Sequence, residues 1–107
     1  MYIFDLQSET FTDISKPFHP PPMEAQNSIL YKNSIFMFGG HDGIKYYNQL
    51  WCFDCVSHDW KACETTNRPS PRACATMEMV DDSLLLIGEV TLNLRYLYWK
   101  RGIWTCH

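Results

Sequence analysis

Long hydrophobic runs and blocks of like charge are both missing from this sequence of 107 residues. Its apolar runs, such as residues 84–87, are far shorter than the roughly 18 residues that a membrane-spanning helix needs. The 9 Lys and Arg residues and 12 Asp and Glu residues give a net charge of −3 and form no basic stripe. The sequence therefore points to neither a membrane nor a nucleic acid as partner.

A secretory signal is also missing, because the N-terminus has no positively charged segment followed by an apolar stretch. The number of cysteines is odd, at Cys52, Cys55, Cys63, Cys74 and Cys106. Without a secretory signal, an odd number favours reduced thiols over a disulfide framework. We therefore expect a cytoplasmic or nuclear protein.

No window of the sequence shows an apolar period of 3.6 residues, so helices are not expected. With 46% hydrophobic and 15% aromatic residues, the chain can form a packed core and does not have the composition of a disordered one. Four strand candidates rich in Ile, Phe, Tyr and Trp lie near residues 27–31, 34–38, 49–54 and 59–63. A tight turn at Lys32 and Asn33 and a polar turn at 55–58 separate them. The sequence predicts an all-β fold.

An internal repeat relates the middle of the chain to both of its ends. Gly39 and Gly88 are 49 residues apart. The same offset relates further pairs: Pro22 and Pro71, Ile35 and Leu84, Phe38 and Ile87, Phe4 and Phe53, Asp5 and Asp54, Phe11 and Trp60. Trp104 follows Trp60 by 44 residues, so the last copy is shorter by about five residues in the loop behind the glycines. Several positions that agree on one period indicate tandem structural units.

The order of features within a unit resembles the kelch repeat. An apolar strand pair ends in FMFGG, a loop leads to NQLWCFD, and Trp60 follows. PRACATMEMVDDSLLLIG repeats the first part of this order in the last copy. The resemblance implies a partial β-propeller made of four-stranded antiparallel blades. Residues 1–15 would be the last two strands of one blade, residues 16–64 a complete blade with its preceding linker, and residues 65–107 a shortened blade.

The resemblance also implies structural roles for certain residues. Gly39 and Gly40, with Gly88 in the next copy, would permit a tight backbone path and close approach of the next blade. Trp60 and Trp104 would pack between blades. Asp5 and Asp54 can bind backbone amides of the turns that follow them. The chain departs from the pattern at Met23, Glu89, Gln26 and Ala75, where kelch repeats carry Arg, Gly and His.

In a propeller, the loop after the second strand and the loop between blades emerge on the same side, here residues 41–47, 16–22 and 64–71. We expect a partner-binding surface formed by His41, Asp42, Lys45, Tyr46, Arg68 and Arg72, with an acidic peptide or another protein as the ligand. Two alternatives stay open: Tyr46 and Tyr47 cover the edge of the blade, and Arg72 binds neighbouring carbonyls to hold blades together.

Catalytic and cofactor motifs have weak support in the sequence. Cys52 and Cys55, with His58 and Cys63, resemble a zinc set, but Cys52 falls inside a strand candidate, where a small core residue is expected. The proline-rich segment 16–23 could be a polyproline ligand or, as its counterpart at 67–72 favours, an inter-blade linker. The glycines of 39–43 have the wrong spacing for a phosphate loop. We expect no metal, no cofactor and no enzymatic activity.

The resemblance implies that the chain is a protein-interaction module, such as the substrate-recognition part of a ubiquitin ligase adaptor. An actin-associated or other cytoskeletal scaffold is the alternative. Kelch-type copper oxidases and sugar epimerases define a third, enzymatic class that fits less well. Because blades are stable only against their neighbours, a truncated, non-functional fragment of a longer propeller is a further alternative, and the unpaired blade faces could cause self-association.

Overall fold

A computed structural model describes residues 1–63, 68–72, 75–87, 96–100 and 103–106. In these residues the chain forms strands and turns and contains no helix, and so no helix that could cross a membrane. The strands are β1 Tyr2–Asp5, β2 Thr10–Asp13, β3 Asn27–Tyr31, β4 Ser34–Phe38, β5 Leu50–Asp54, β6 Trp60–Ala62, β7 Thr76–Val80, β8 Ser83–Ile87, β9 Tyr96–Lys100 and β10 Ile103–Cys106.

These strands form three separate antiparallel groups. The N-terminal hairpin contains β1 and β2, the central sheet has the order β3-β4-β5-β6, and the C-terminal sheet has the order β7-β8-β9-β10. The prediction of an all-β fold with four-stranded antiparallel units is confirmed. Two of the four strands expected in the central unit have the predicted bounds; the third begins one residue later, and the last is shorter. The residue boundaries of the three units stay a prediction.

The 49-residue repeat is also visible in the backbone of the turns. Lys32 and Asp81, which are 49 residues apart, have φ values of 55° and 47° in the two-residue turns β3–β4 and β7–β8. Glu9 and His58, separated by the same offset, have φ values of 54° and 63° just before β2 and near the start of β6. The repeat therefore extends to single left-handed backbone positions in the turns.

The two aspartates at the ends of β1 and β5 stabilise the turns that follow, as predicted. Asp5 Oδ1 accepts hydrogen bonds from the amides two and three residues further on, at 2.8 and 2.9 Å. Asp54 Oδ1 does the same at 2.7 and 3.0 Å. These bonds favour the charged carboxylates, so the pKa of each aspartate lies below its ordinary value.

The hydrophobic core lies between the central and C-terminal sheets. Its buried members come from both: Phe38 and Leu50, and Ala75, Met77, Leu84 and Leu86. Ile29, Phe36, Cys63 and Met79 pack around them, and β3 runs beside β7. Each sheet thus buries one face against the other, so the two are expected to stabilise each other.

The glycine pair after β4 contacts the backbone of the segment that precedes the C-terminal sheet. Gly39 has a φ of +74°, and a Cβ there would overlap the carbonyl oxygen of Arg72. That oxygen accepts a hydrogen bond of 3.0 Å from the Gly40 amide, while the Arg72 amide donates to the Tyr47 carbonyl at 3.1 Å. A Cβ on Gly40 would instead meet Met23 and Glu24 of the segment before β3, and the role predicted for both glycines in close approach of the next blade stays a prediction. Gly88 lies outside the described residues.

Trp60 and Trp104, the two tryptophans expected to pack between units, lie in the last strands of the central and C-terminal sheets. Trp60 is half-buried, and its ring lies 4.9 Å from that of Phe53 in the same sheet. It also lines a groove beside the N-terminal hairpin. Trp104 lies in β10, in register with Trp99 of β9. For neither residue is the expected packing between units tested, and it stays a prediction.

Candidate functional site

The loop of residues 41–47 leaves the central sheet directly after the glycine pair. His41 and Glu24 exchange two backbone hydrogen bonds of 2.7 and 2.9 Å, which join the loop to the segment before β3. The Tyr47 amide donates to the Gly40 carbonyl at 2.9 Å and closes the base of the loop. The loop is therefore held by backbone bonds at both of its ends.

Asp42 organises the interior of this loop. Its carboxylate accepts hydrogen bonds from the Lys45 and Ile44 amides, both at 2.8 Å, and from the Tyr47 hydroxyl at 2.7 Å. These bonds, led by the one from the Lys45 amide, lower the pKa of Asp42 to about 2. The pKa of Tyr47 is raised, because its proton is held by the carboxylate. The hydrogen bonds of the Asp42 carboxylate thus lie within the loop, and its predicted contact with a partner stays a prediction.

Two aromatic contacts lie at the surface of the loop. Lys45 Nζ lies 5.1 Å from the centroid of the Tyr47 ring, a cation–π geometry. The Tyr46 ring lies 5.5 Å from that of His41 and is 59% exposed. The loop therefore presents a cationic side chain and an exposed aromatic side by side, the residue types expected for a contact surface.

Arg72 is held on the neighbouring segment, residues 68–72. Its Nε donates to the Ser70 carbonyl at 3.1 Å, and its Nη2 donates to Ser70 Oγ at 2.9 Å. Burial lowers the pKa of the guanidinium. Together with the backbone bonds to Gly40 and Tyr47, these contacts fit the alternative in which Arg72 joins the sheets. Its part in partner binding stays a prediction.

Asn48 joins the loop region to this segment, because its Nδ2 donates to the Pro69 carbonyl at 3.1 Å. Arg68, next to Pro69, is exposed. The structure thus brings residues 41–48 and 68–72 to the same edge of the sheets, as the repeat predicts. Asn48, Glu24 and Tyr47 support this edge, yet the sequence carries no local motif that singles them out.

Lys16 in the preceding linker has an exposed ion pair with Asp59, at 3.5 Å. Both side chains are largely exposed, so the pair is expected to contribute little to stability. Among the described residues, no hydrogen bond joins the linker 16–22 to the loop of residues 41–47, although both were predicted to share one surface.

The zinc set considered from the sequence consists of Cys52, Cys55, His58 and Cys63, all of which the structure describes. There, no group of three or more His, Cys, Asp or Glu side chains is close enough to hold a metal ion. Cys52, Cys55 and Cys63 carry free thiols. Burial, and then the charge of Cys52, raises the pKa of Cys63 to about 11, so this thiol stays protonated at neutral pH.

We predict that Asp42 titrates at unusually low pH. Since its pKa in the folded loop, about 2, is below the ordinary 3.8, its bonds are present above that ordinary value and are lost as the pH falls towards 2. Replacing Tyr47 by Phe removes one donor to the carboxylate, so the midpoint should rise. An NMR titration of the Asp42 carboxyl measures it, with Tyr46→Phe as the control that should leave the midpoint unchanged. An unshifted midpoint in Tyr47→Phe would contradict the assigned bond.

Comparison with known proteins adds the family context. The family model described as the KLHDC2/KLHL20/DRC7 Kelch-repeats domain matches residues 1–98. Kelch domain-containing protein 3 from Homo sapiens and from Bos taurus is 28% identical over 90 residues, which cover 80% of this chain and 24% of the relative. The Leucine-zipper-like transcriptional regulator 1 homolog of Drosophila melanogaster is 31% identical over 64 residues, or 59% of this chain and 7% of the relative. The chain thus spans about a quarter of the length of the first two relatives.

Proposed function

Because this chain belongs to the kelch-repeat family, whose domains bind other proteins, we propose that it recognises an acidic segment of a partner protein. The surface is the sheet edge formed by residues 41–48 and 68–72, which we name the loop edge. The partial kelch-type β-propeller predicted from the sequence is confirmed by the family match and by the sheet order. Domains of this family are typically protein-interaction domains without catalytic activity.

The observation that carries the proposal is the ordered loop beside the Arg-bearing segment. Asp42 fixes the loop through three hydrogen bonds, and Asn48 joins it to Pro69. Little conformational freedom therefore remains to be lost when a partner binds, which favours affinity. The loop edge carries the cations Lys45 and Arg68 with the exposed ring of Tyr46. Carboxylates of a partner would meet positive charge and an aromatic surface there.

Fluorescence polarisation with a labelled oligoglutamate peptide tests this surface. The double variant Lys45→Ala/Arg68→Ala should weaken binding at least about tenfold, because it removes the two exposed cations of the loop edge and leaves only Arg72. Added salt should weaken binding of the unaltered chain as well. Lys32→Ala is the matched control, since Lys32 lies in the β3–β4 turn at the opposite end of the strands. Equal affinity of the double variant and the unaltered chain would overturn the surface, as would equal binding of an oligoglutamine peptide.

At the next level of detail, we propose that this surface serves as the substrate-recognition part of a ubiquitin ligase adaptor in the cytoplasm or nucleus. Support comes from the family resemblance. The test is an immunoprecipitate of the tagged chain from cells, assayed for ubiquitin ligase activity. The role predicts activity that is retained with the unaltered chain and lost with Lys45→Ala/Arg68→Ala. Activity that is equal for both, or absent from both, speaks against it.

A further inference from the structure

Ser70 lies in the loop edge between two prolines and two arginines, because residues 68–72 read Arg-Pro-Ser-Pro-Arg. Each proline restricts the backbone of the residue before it, here Arg68 and Ser70, to extended conformations. Ser70 is exposed, as is Pro71 after it. In the whole sequence, Ser70 is the only serine or threonine that is followed by proline. The chain therefore has one hydroxyl in the local sequence on which proline-directed protein kinases act.

The exposed pair of Ser70 and Pro71 lies between two points at which the segment is attached to the rest of the molecule. On one side, the Pro69 carbonyl accepts a hydrogen bond of 3.1 Å from Asn48 Nδ2. On the other side, the amide and the carbonyl of Arg72 form backbone hydrogen bonds of 3.1 and 3.0 Å. The hydroxyl is thus open to solvent, and local opening of this short segment would leave both sheets intact.

A receptor for a phosphate on Ser70 is already present in the side chain of Arg72. Its Nη2 donates to Ser70 Oγ at 2.9 Å, and its Nε donates to the carbonyl of the same serine at 3.1 Å. A phosphate on Oγ would place its oxygens two bonds beyond this atom, within reach of the guanidinium that now contacts it. Arginine pairs with phosphate through parallel hydrogen bonds, so this contact would become stronger on modification.

The charge of the loop edge is small enough for one phosphate to cancel it. Its cations are Lys45, Arg68 and Arg72. Its one carboxylate, Asp42, is charged at neutral pH, since its pKa is about 2. The formal charge is therefore +2. A phosphoserine carries about −1.5 to −2 at pH 7, which would bring the loop edge close to neutrality and remove its attraction for carboxylates.

We propose that Ser70 is a phosphorylation site of a proline-directed protein kinase, and that its phosphate, held by Arg72, weakens binding of acidic partners at the loop edge. The second part rests on the function proposed above. In the transfer, Ser70 Oγ bonds to the γ-phosphorus of ATP while the bond from that phosphorus to the oxygen shared with the β-phosphate breaks. ADP leaves with the electron pair of the broken bond, and the serine proton passes to a base of the kinase.

The site is tested by incubating the 107-residue chain with ATP and a mitogen-activated protein kinase, which is a proline-directed enzyme. Mass spectrometry should locate phosphate on Ser70. Pro71→Ala should lose most of this phosphate, because the proline that directs the kinase is gone. No incorporation, or phosphate on another residue in place of Ser70, would overturn the assignment of the site.

The contact with Arg72 is tested on chain synthesised with phosphoserine at position 70. The second pKa of phosphoserine is ordinarily about 6, and the guanidinium should lower it because it favours the dianion. A phosphorus NMR titration measures the midpoint, which Arg72→Gln should return to its ordinary value. Phosphoserine at position 57 is the matched control, since Ser57 is exposed in the β5–β6 turn at the opposite end of the strands. Equal midpoints at the two positions would show that Arg72 does not hold the phosphate.

The effect on binding is measured by fluorescence polarisation with the labelled oligoglutamate peptide. Phosphoserine at position 70 should weaken binding at least about tenfold, while phosphoserine at position 57 should leave it unchanged. Circular dichroism checks that both modified chains keep their strands. Equal binding by the two would refute control of the loop edge by Ser70. If the unmodified chain does not bind the peptide, the loop edge and its control both fail, and the kinase and NMR measurements still decide whether Ser70 is the site.

Discussion

Replacing Gly39 by alanine is expected to lower the free energy of unfolding by about 2–4 kcal/mol. Two effects add. The backbone has a φ of +74°, which is unfavourable for any residue with a Cβ. The new Cβ would also overlap the carbonyl oxygen of Arg72, which belongs to the backbone and cannot turn away as a side chain could. The segment that enters the C-terminal sheet would have to move, and its bonds to Gly40 and Tyr47 would be weakened.

The matched control for this prediction is Gly43→Ala. Gly43 also has a positive φ, +90°, but nothing lies within 4 Å of a Cβ built there. Only the conformational part of the cost remains, about 1 kcal/mol. Urea denaturation followed by circular dichroism compares the two variants. Equal losses would show that the close approach to Arg72 has no energetic role and that the backbone angle alone explains the glycine.

The fold was predictable from the sequence because its signals are local and occur twice. Apolar strands broken by a two-residue turn at Lys32 and Asn33 predict a hairpin without reference to the rest of the chain. The offset of 49 residues then transfers the hairpin to residues 76–87. Asp5 and Asp54 were assigned correctly for the same reason, since an aspartate at a strand end reaches amides two and three residues on.

The candidate site was less predictable because its side chains depend on contacts between distant segments. The sequence placed Asp42 on a loop, but whether its carboxylate faces a partner or its own loop depends on where Tyr47 lies. For Arg72 the sequence left ligand binding and holding the blades together equally open, and its side chain donates to Ser70 while its backbone bonds to Gly40 and Tyr47. That backbone contact follows from the packing of two sheets, which no local pattern encodes.

The face of the central sheet that points away from the C-terminal sheet was predicted only in part. Counting repeat units predicts that some blade faces lack a neighbour. Which residues line such a face depends on side-chain alternation along β3 and β4: Leu30 and Met37 share one face, where Leu30 is exposed and Met37 is buried. The strand register comes from the structure, and the equivalence of the two sheets comes from the 49-residue repeat; both are needed to assign these residues.

Truncating Leu86 to alanine should cost about 2–5 kcal/mol. Leu86 has no exposed surface and lies in the core that joins the two sheets, so its loss leaves a cavity between them. Leu6→Ala is the matched control, because the same atoms are removed from a leucine that is 84% exposed; a change within about 0.5 kcal/mol is expected there.

The more informative readout of Leu86→Ala lies in the other sheet. If the sheets stabilise each other through their shared core, a deletion in β8 should reduce hydrogen-exchange protection of amides in β4 and β5 as well as in β7 and β8. The thiol of Cys63, which packs at the margin of this core from the central sheet, should also react faster with a thiol reagent. Protection lost in the C-terminal sheet alone would mean that each four-stranded sheet is stable by itself. Because Phe38 and Leu50 of the central sheet are buried in the same cluster as Leu86, we expect the loss to appear in both sheets.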